Sequence, residues 1–307
     1  MARLIGCFTS TPHSAAHAGK TLVSLSKQTV PLDVIYWFYP HYSKRFDMTY
    51  PPVTLPPLSH DFRSSLRVIQ VEDYGPNTKI APLLDIDDVH DKDSILIFDD
   101  DTVYAPKTVE TLVAASQAKP GIGVGINGHT FKAVPFHFSN TLAFRSKQLV
   151  TWYNQVRVML CSGMVLYPRS MFPNSTQEYM AVVRRMDCFK MNDDHVMAHL
   201  AYTRGVPLFL VSCESSQHYK QEGALSGTNA TQKCEIKMMW KGFLPLPWAE
   251  MVTVIVAAVL LCYVAYKIMM LQSAASQSPR PGVAPAGRAP RAPAQTRATG
   301  TSQSPAA

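Results

Sequence analysis

Four short apolar bursts, Arg3–Phe8 (RLIGCF), Leu32–Pro40 (LDVIYWFYP), Leu66–Glu72 (LRVIQVE) and Ser94–Asp100 (SILIFDD), are separated by longer amphipathic stretches. Short continuous apolar runs read as strands buried on both faces. His17–Gln28 (HAGKTLVSLSKQ) and Pro106–Ala118 (PKTVETLVAASQA) read as helices between them. Strand and helix in alternation predict an α/β layer with a mostly parallel sheet. Trp37 and Tyr39 are then strand residues. After Gly121 the pattern loosens into turns and short strands. A last helix is expected in Asp193–Gly205 (DDHVMAHLAYTRG), capped by Asn192 or Asp193, with Val196, Met197 and Leu200 inward and Gly205 and Pro207 as its stop.

With 307 residues and 47% hydrophobic content, the chain can bury one sizeable core and an appendage. Its formal charge of +7 is unevenly placed. From Met251 onward there are five bases (Lys267, Arg280, Arg288, Arg291, Arg297) and no acids. The basicity thus belongs largely to the tail, which suits anionic lipid or solvent and argues against a nucleic-acid partner. The six cysteines include no CxxC pair, so neither a zinc site nor a disulfide framework can be read. Up to two bridges remain open if the domain lies in an oxidising lumen.

Met251–Leu271 (MVTVIVAAVLLCYVAYKIMML) is apolar on all faces except at Lys267, which can snorkel to an interface. As a helix it would extend about 31 Å, the thickness of a bilayer's hydrocarbon core. Trp248 and Tyr266 sit where interfacial aromatics are expected. The rest of the chain is rich in Pro, Ala and Ser and lacks aromatics, so it is expected to be disordered. The organisation expected is a folded domain over 1–245, a membrane anchor over 246–271 and a tail over 272–307.

The chemistry concentrates where the fourth burst ends in Asp99, Asp100 and Asp101. Ligands in open α/β sheets bind beyond the carboxyl ends of the strands. Alternation along a strand puts Asp99 and Asp101 on one side and Asp100 on the other. Converging carboxylates are costly unless a cation neutralises them, and a hard divalent ion completed by a phosphate fits that need. A solvated acidic turn is the plain alternative for three aspartates alone. Their neighbours weaken it. Glu72–Ile80 (EDYGPNTKI) holds a Gly75-Pro76 turn and, in Lys79, a point charge suited to phosphate. Ser162–Pro168 (SGMVLYP) offers small residues before a strand, and Asn192–Leu208 (NDDHVMAHLAYTRGVPL) brings a second carboxylate pair.

In wording and order, these segments, together with Ser24–Pro40 (SLSKQTVPLDVIYWFYP), resemble a family of metal-dependent, nucleotide-sugar glycosyltransferases of the GT-A fold, the microbial, algal and viral type. The resemblance runs from about Leu4 to Leu210. It implies a Rossmann-like, mostly parallel sheet flanked by helices and a Mn²⁺ or Mg²⁺ cofactor. Asp101 would bind the metal, Asp99 the ribose or the metal's water, and Asp100 the sugar or nucleotide. Lys79 would lie against the nucleotide or its phosphates. Thr9 would line the base or ribose pocket, and Gly75 belongs with these donor-binding residues. The family often carries an Arg soon after the Pro that follows the first strand; here His13 stands in that stretch. The second acidic pair resembles the motif that faces the acceptor, so Asp194 or Asp193 is the candidate base for an inverting transfer, with Asp194 preferred. His218 is positioned to supply a late metal ligand. His195 and His199 share a helix face but lack the remaining parts of a zinc protease, and read as structural.

The implied partners are a nucleotide-sugar donor, a glycan, glycolipid or glycoprotein acceptor, and a lipid bilayer. Two other readings compete: a GT-like domain without turnover that acts as a membrane-bound adaptor, and a metal-dependent phosphoryl-transfer enzyme, for which a GxxxxGK[ST] loop is missing. The N-terminal MARLIGCFTSTPHS has too short an apolar core for a signal peptide, so a tail-anchored protein with a cytosolic catalytic domain is expected. The basic tail and the sequons at Asn174 and Asn229 point instead to a lumenal domain.

Overall fold

In the computed structural model, residues 2–129, 154–156, 158–213, 217–218 and 248–276 are described. The sequon at Asn229 and the tail from residue 277 onward lie outside them, as does the side chain of His218.

The four apolar bursts form strands β1 (Leu4–Thr9), β2 (Val34–Pro40), β3 (Leu66–Val71) and β4 (Ser94–Ile97). They are joined by β5 (Gly123–Gly125), β6 (Asn154–Val156), β7 (Val165–Pro168) and β8 (Leu208–Leu210). Among the described residues these make one eight-stranded sheet in the order β6-β8-β5-β7-β4-β1-β2-β3. β1 pairs in parallel with both β2 and β4, and β2 with β3. β7 runs antiparallel to β4 and β5, and β6 antiparallel to β8. The expected mixed α/β layer with a mostly parallel sheet is therefore present.

β1, β2 and β4 are apolar along their length because both faces of the sheet are covered there. β3, expected to be buried, is instead the edge strand, and only Leu66 of it is buried, with Arg67 and Val68 exposed. Val34, Tyr36 and Phe38 of β2, with Ile95 and Ile97 of β4, join a core beneath α4 (Thr176–Val183) and α5 (Asp193–Arg204). Ile35, Trp37 and Tyr39, with Leu96 and Phe98, join a second core beneath α1 (Ala18–Leu25) and α3 (Thr108–Ala118). Ile5, Ile35, Ile95 and Leu96 are fully buried, and each such side chain contributes about 1.5–3 kcal/mol through lost apolar exposure. A shorter helix, α2 (His60–Ser65), leads into β3.

α5 starts and stops where the sequence places it. Gly205 adopts φ 67° and its N–H reaches back to Tyr202 O, a left-handed cap that glycine takes without Cβ strain. α4 falls in the stretch where the apolar pattern had loosened. Ser175 starts it, accepting from Glu178 N, and its inward face is only Tyr179, Val182 and Val183.

A last helix, α6 (Trp248–Ser276), runs from residue 255 onward within the C-terminal unit. Within it Ile255–Gln272 is long and apolar enough to cross a membrane, and its side chains are exposed. The helix continues beyond the anchor's expected end at Leu271, through the helix-compatible Gln272–Ser276. Cys7, Cys161, Cys213 and Cys262 are free, whereas Cys188 is disulfide-bonded.

Candidate functional site

The sheet order reverses at β1: β2 and β3 follow on one side, while β4 is added on the other. Such a switch point opens a crevice at the strands' carboxyl ends. Thr9 ends β1 there, and Asp99–Asp101 follow β4 one residue beyond Phe98. Strand alternation persists into the acidic turn and sends its first two carboxylates to opposite faces of the sheet.

Asp99 continues the face of Ile95 and Ile97 and meets Lys79 at 2.5 Å. The same ammonium lies 2.9 Å from Asp193 at the start of α5. One lysine thus bridges the two acidic motifs. Lys79 is 12% exposed and Asp193 8% exposed at the side chain, so the pair is poorly screened. Burial alone would lower the Lys79 pKa, but Asp193 and Asp99 outweigh it and hold the ammonium well above its ordinary range.

The segment carrying Lys79 is held firmly. Gly75 takes φ +63°, and a Cβ there would come within 3.2 Å of Lys190 O, so both conformation and space call for glycine. Its N–H donates to Asp73 Oδ1, and Tyr74 N donates to Thr78 Oγ1. Asn77 is fully buried. Its amide donates to Phe189 O at 2.9 Å, and its carbonyl oxygen accepts from the Tyr179 hydroxyl at 3.0 Å. The turn from Gly75 to Lys79 is thereby fixed to the approach to α5.

Asp194 points elsewhere. Its Oδ1 accepts from Cys161 N at 2.9 Å. Burial pushes its pKa up to about 6, with the Asp193 charge adding and Lys79 opposing. Each carboxylate of the pair reaches across to another segment, Asp193 to Lys79 and Asp194 to Cys161. Cys161 begins a short turn through Gly163, followed by Met164 at φ +69°, strained backbone for a residue with a Cβ. Across that turn, Thr102 Oγ1 lies 3.5 Å from Ser162 O and 3.3 Å from Asp101 Oδ1. Three segments distant in sequence therefore converge: the acidic turn, the Cys161 turn and the start of α5.

The other expected site residues are placed as follows. Asp101 is partly buried on the acidic turn. Asp100 faces the opposite way and is 8% exposed, its Oδ2 accepting from Ser14 Oγ at 2.6 Å. Burial pushes its pKa up to about 7, against the Ser10 and Ser14 hydrogen bonds. Thr9 is buried, and its hydroxyl donates to Phe38 O at 2.8 Å, tying β1 to β2. The His218 backbone pairs antiparallel with Thr102, next to Asp101. His195 and His199 are buried on α5, and His199 stacks on Phe189. Lys79, Asp99, Asp193 and Asp194 are thus brought together, while Asp100 and Thr9 face structural partners.

Sequence reasoning missed Cys161, Ser14, Asn77, Tyr179 and Tyr104. The Tyr104 hydroxyl accepts from Asp99 N at 3.2 Å and steadies the turn. Only the position of Tyr104 shortly after the aspartates could have signalled this.

Among the described residues, two sets of side chains carry donors that a cation could use. Cys161 Sγ and one oxygen each from Asp193 and Asp194 lie within 4.8 Å of one another. Burial and the two aspartate charges raise the Cys161 pKa well above its ordinary range, which keeps the thiol neutral, and Lys79 already supplies a positive charge. Asp99 and Asp101, on the acidic turn beyond β4, carry hard oxygen donors, the chemistry that suits Mg²⁺ or Mn²⁺.

No family model and no curated protein matches this chain. Among solved structures, it is similar to GalNAc-T7 with UDP, GalNAc and Mn²⁺, at 10% identity and a TM-score of 0.49, covering 78% of this chain and 49% of that one. It is similar to S. aureus TarS in complex with UDP-GlcNAc, at 14% identity and a TM-score of 0.46, covering 78% of this chain and 67% of that one. It is also similar to the Francisella tularensis 2-C-methyl-D-erythritol 4-phosphate cytidylyltransferase, at 12% identity and a TM-score of 0.42, covering 76% of this chain and 97% of that one. The chain spans about half the length of the GalNAc-T7 structure.

Proposed function

We propose that the chain is a divalent-metal-dependent glycosyltransferase of the GT-A kind. It moves a sugar from a nucleoside-diphosphate sugar to a hydroxyl of a glycan, glycolipid or glycoprotein, with inversion. One observation carries this reading. The acidic turn beyond β4 stands at the sheet's switch point and meets the acidic start of α5 across Lys79.

Sugar transfer develops positive charge at the anomeric carbon and negative charge on the departing diphosphate. A bound Mn²⁺ or Mg²⁺ supplies electrostatic stabilisation of that leaving group. Asp101 and Asp99 would hold the ion, with His218 as a further ligand. Lys79 gives the diphosphate a second positive charge, and when it turns to the donor it releases Asp99. Gly75 and the turn it opens set where Lys79 stands, and Thr9 closes the floor of the crevice. Asp194 takes the proton from the acceptor hydroxyl, because its raised pKa gives it basicity that an exposed aspartate lacks. Asp193 holds Lys79 and is the alternative base.

α6 would anchor this domain in a membrane through Ile255–Gln272. A cytosolic domain would have direct access to nucleotide sugars, which are made there. The Cys188 disulfide and the exposed sequon residue Asn174 favour a lumenal domain as the second reading.

A GT-like domain without turnover is favoured by a different observation: Lys79 already neutralises Asp99 and Asp193. Incubating the full chain with Mn²⁺ and a panel of nucleotide sugars separates the readings. Metal-dependent release of nucleoside diphosphate, abolished in Asp101→Ala with the fold retained, supports the transferase. Donor binding without release supports the adaptor. Full activity of Asp101→Ala removes Asp101 from the metal site.

A further inference from the structure

The middle aspartate of the acidic turn has its own surroundings. Strand alternation turns Asp100 onto the face of Leu96 and Phe98, toward the loop that follows β1. That loop, Ser10 to Ser14, is knitted by its own hydrogen bonds. Thr11 N donates to Ser14 Oγ at 2.7 Å, and Ser14 N donates to Thr11 O at 3.1 Å. Ser14 Oγ then donates to Asp100 Oδ2 at 2.6 Å, and both residues are buried. Ser10 also hydrogen-bonds Asp100, while its hydroxyl accepts from Trp37 Nε1 at 3.1 Å. Behind the turn, Thr21 Oγ1 of α1 lies 2.9 Å from Asp100 O and 2.8 Å from Thr102 O. The carboxylate of Asp100 is thus held by the β1–α1 connection and its backbone by α1, on the far side from Lys79 and Asp193.

We propose that Asp100 is a positioning residue. Through Ser14 it ties the acidic turn to the loop after β1, and so fixes the places of Asp99 and Asp101 without touching the donor. This rests on the proposed metal-dependent reading of the same turn. It departs from the resemblance, which gave Asp100 a contact with sugar or nucleotide. The role needs a hydrogen-bond acceptor at Asp100, not a charge. An asparagine would serve, because its oxygen accepts from Ser14 and its amide can donate to the Ser10 hydroxyl.

The test measures Mn²⁺ binding by the full chain, with the metal alone as probe, and nucleoside diphosphate release as a function of Mn²⁺. Ser14→Ala and Asp100→Ala are each expected to weaken Mn²⁺ binding about tenfold, the usual effect of losing a group that orients a ligand. At saturating Mn²⁺ the turnover should return close to the native value. The double variant should bind no more weakly than Asp100→Ala, which already removes the acceptor of the Ser14 bond. Asp100→Asn keeps an acceptor for Ser14 and should stay within about twofold of the native chain. If Asp100→Asn loses as much binding as Asp101→Ala, Asp100 is itself a ligand and the proposal fails. It fails too if the Ser14 and Asp100 effects add, or if Ser14→Ala binds normally. Ser14→Ala and Asp100→Asn keep the test decisive if Asp100→Ala does not fold. A native chain that binds no Mn²⁺ removes the metal-site reading itself, and this proposal with it.

Discussion

The Lys79 ammonium lies 2.9 Å from the Asp193 carboxylate, joining residues 114 positions apart in the chain. The same ammonium is 2.5 Å from Asp99. The buried ammonium is tolerable because two carboxylates flank it, and it offsets the charge of both. Lys79→Met would leave two poorly solvated carboxylates without their cation, at a cost of about 3 kcal/mol. Chemical denaturation should show the loss. In Lys79→Arg, stability should largely return while the donor KM stays raised, because the guanidinium fork does not reproduce a compact ammonium.

Asp194 sets a pH dependence whose sign differs between activity and stability. As the base it must be ionised, so kcat/KM should rise with pH through about 6 and then level off. Asp194→Asn should remove that limb and lower kcat by about 10²–10⁴-fold. For stability, the folded chain holds this proton more tightly than the unfolded chain does. Its contribution therefore declines as pH rises from about 3.8 to about 6. Melting curves of the native chain and Asp194→Asn should converge at the acid end of that window and separate at the other, with the variant the more stable.

Asn77 shows how a buried amide can govern a charge two residues away. Asn77→Ala would orphan the Phe189 carbonyl and the Tyr179 hydroxyl, at a cost of about 1–3 kcal/mol. Tyr179→Phe removes only one of those bonds and should cost less. Both variants should raise the donor KM more than they lower kcat, as steady-state release of nucleoside diphosphate will show.

The side of the membrane can be read from Asn174, which is exposed just before α4. With the domain in the cytosol, expression in a eukaryotic cell should give no endoglycosidase-sensitive shift at Asn174. A shift abolished by Asn174→Gln places the domain in the lumen. Alkaline carbonate should leave the full chain in the membrane pellet, whereas a chain carrying several Leu→Lys changes between residues 255 and 272 should be released.

Much of the sheet was legible because burial on two faces writes itself as long apolar runs in β1, β2 and β4, while β3 was found from LRVIQVE although it is a largely exposed edge strand. β1 to β4 appear where RLIGCF, LDVIYWFYP, LRVIQVE and SILIFDD stand. α5 was legible from its glycine stop. α4 was not, since three inward residues in an eight-residue helix make too short a period to notice. At the site, the carboxylates announce themselves by their cost. Their partners do not: Ser14 is an ordinary small polar residue until the fold brings it 86 positions to Asp100. Lys79 was legible as a positive charge near a phosphate site, but its bridge between two acidic motifs is a product of tertiary packing. Cys161 was invisible because its backbone N–H, rather than its thiol, makes the bond to Asp194.

The opposed directions of Asp99 and Asp100 have a consequence for how this tip can vary. Adjacent positions on a strand cannot exchange sides gradually, so the segment from Ile95 to Asp101 is intolerant of length change. One added or deleted residue would point Asp100 at the lysine and drive Asp99 among the serines. Loops around the crevice are free to lengthen and reshape the acceptor's approach, but the reading frame of this one strand end is locked.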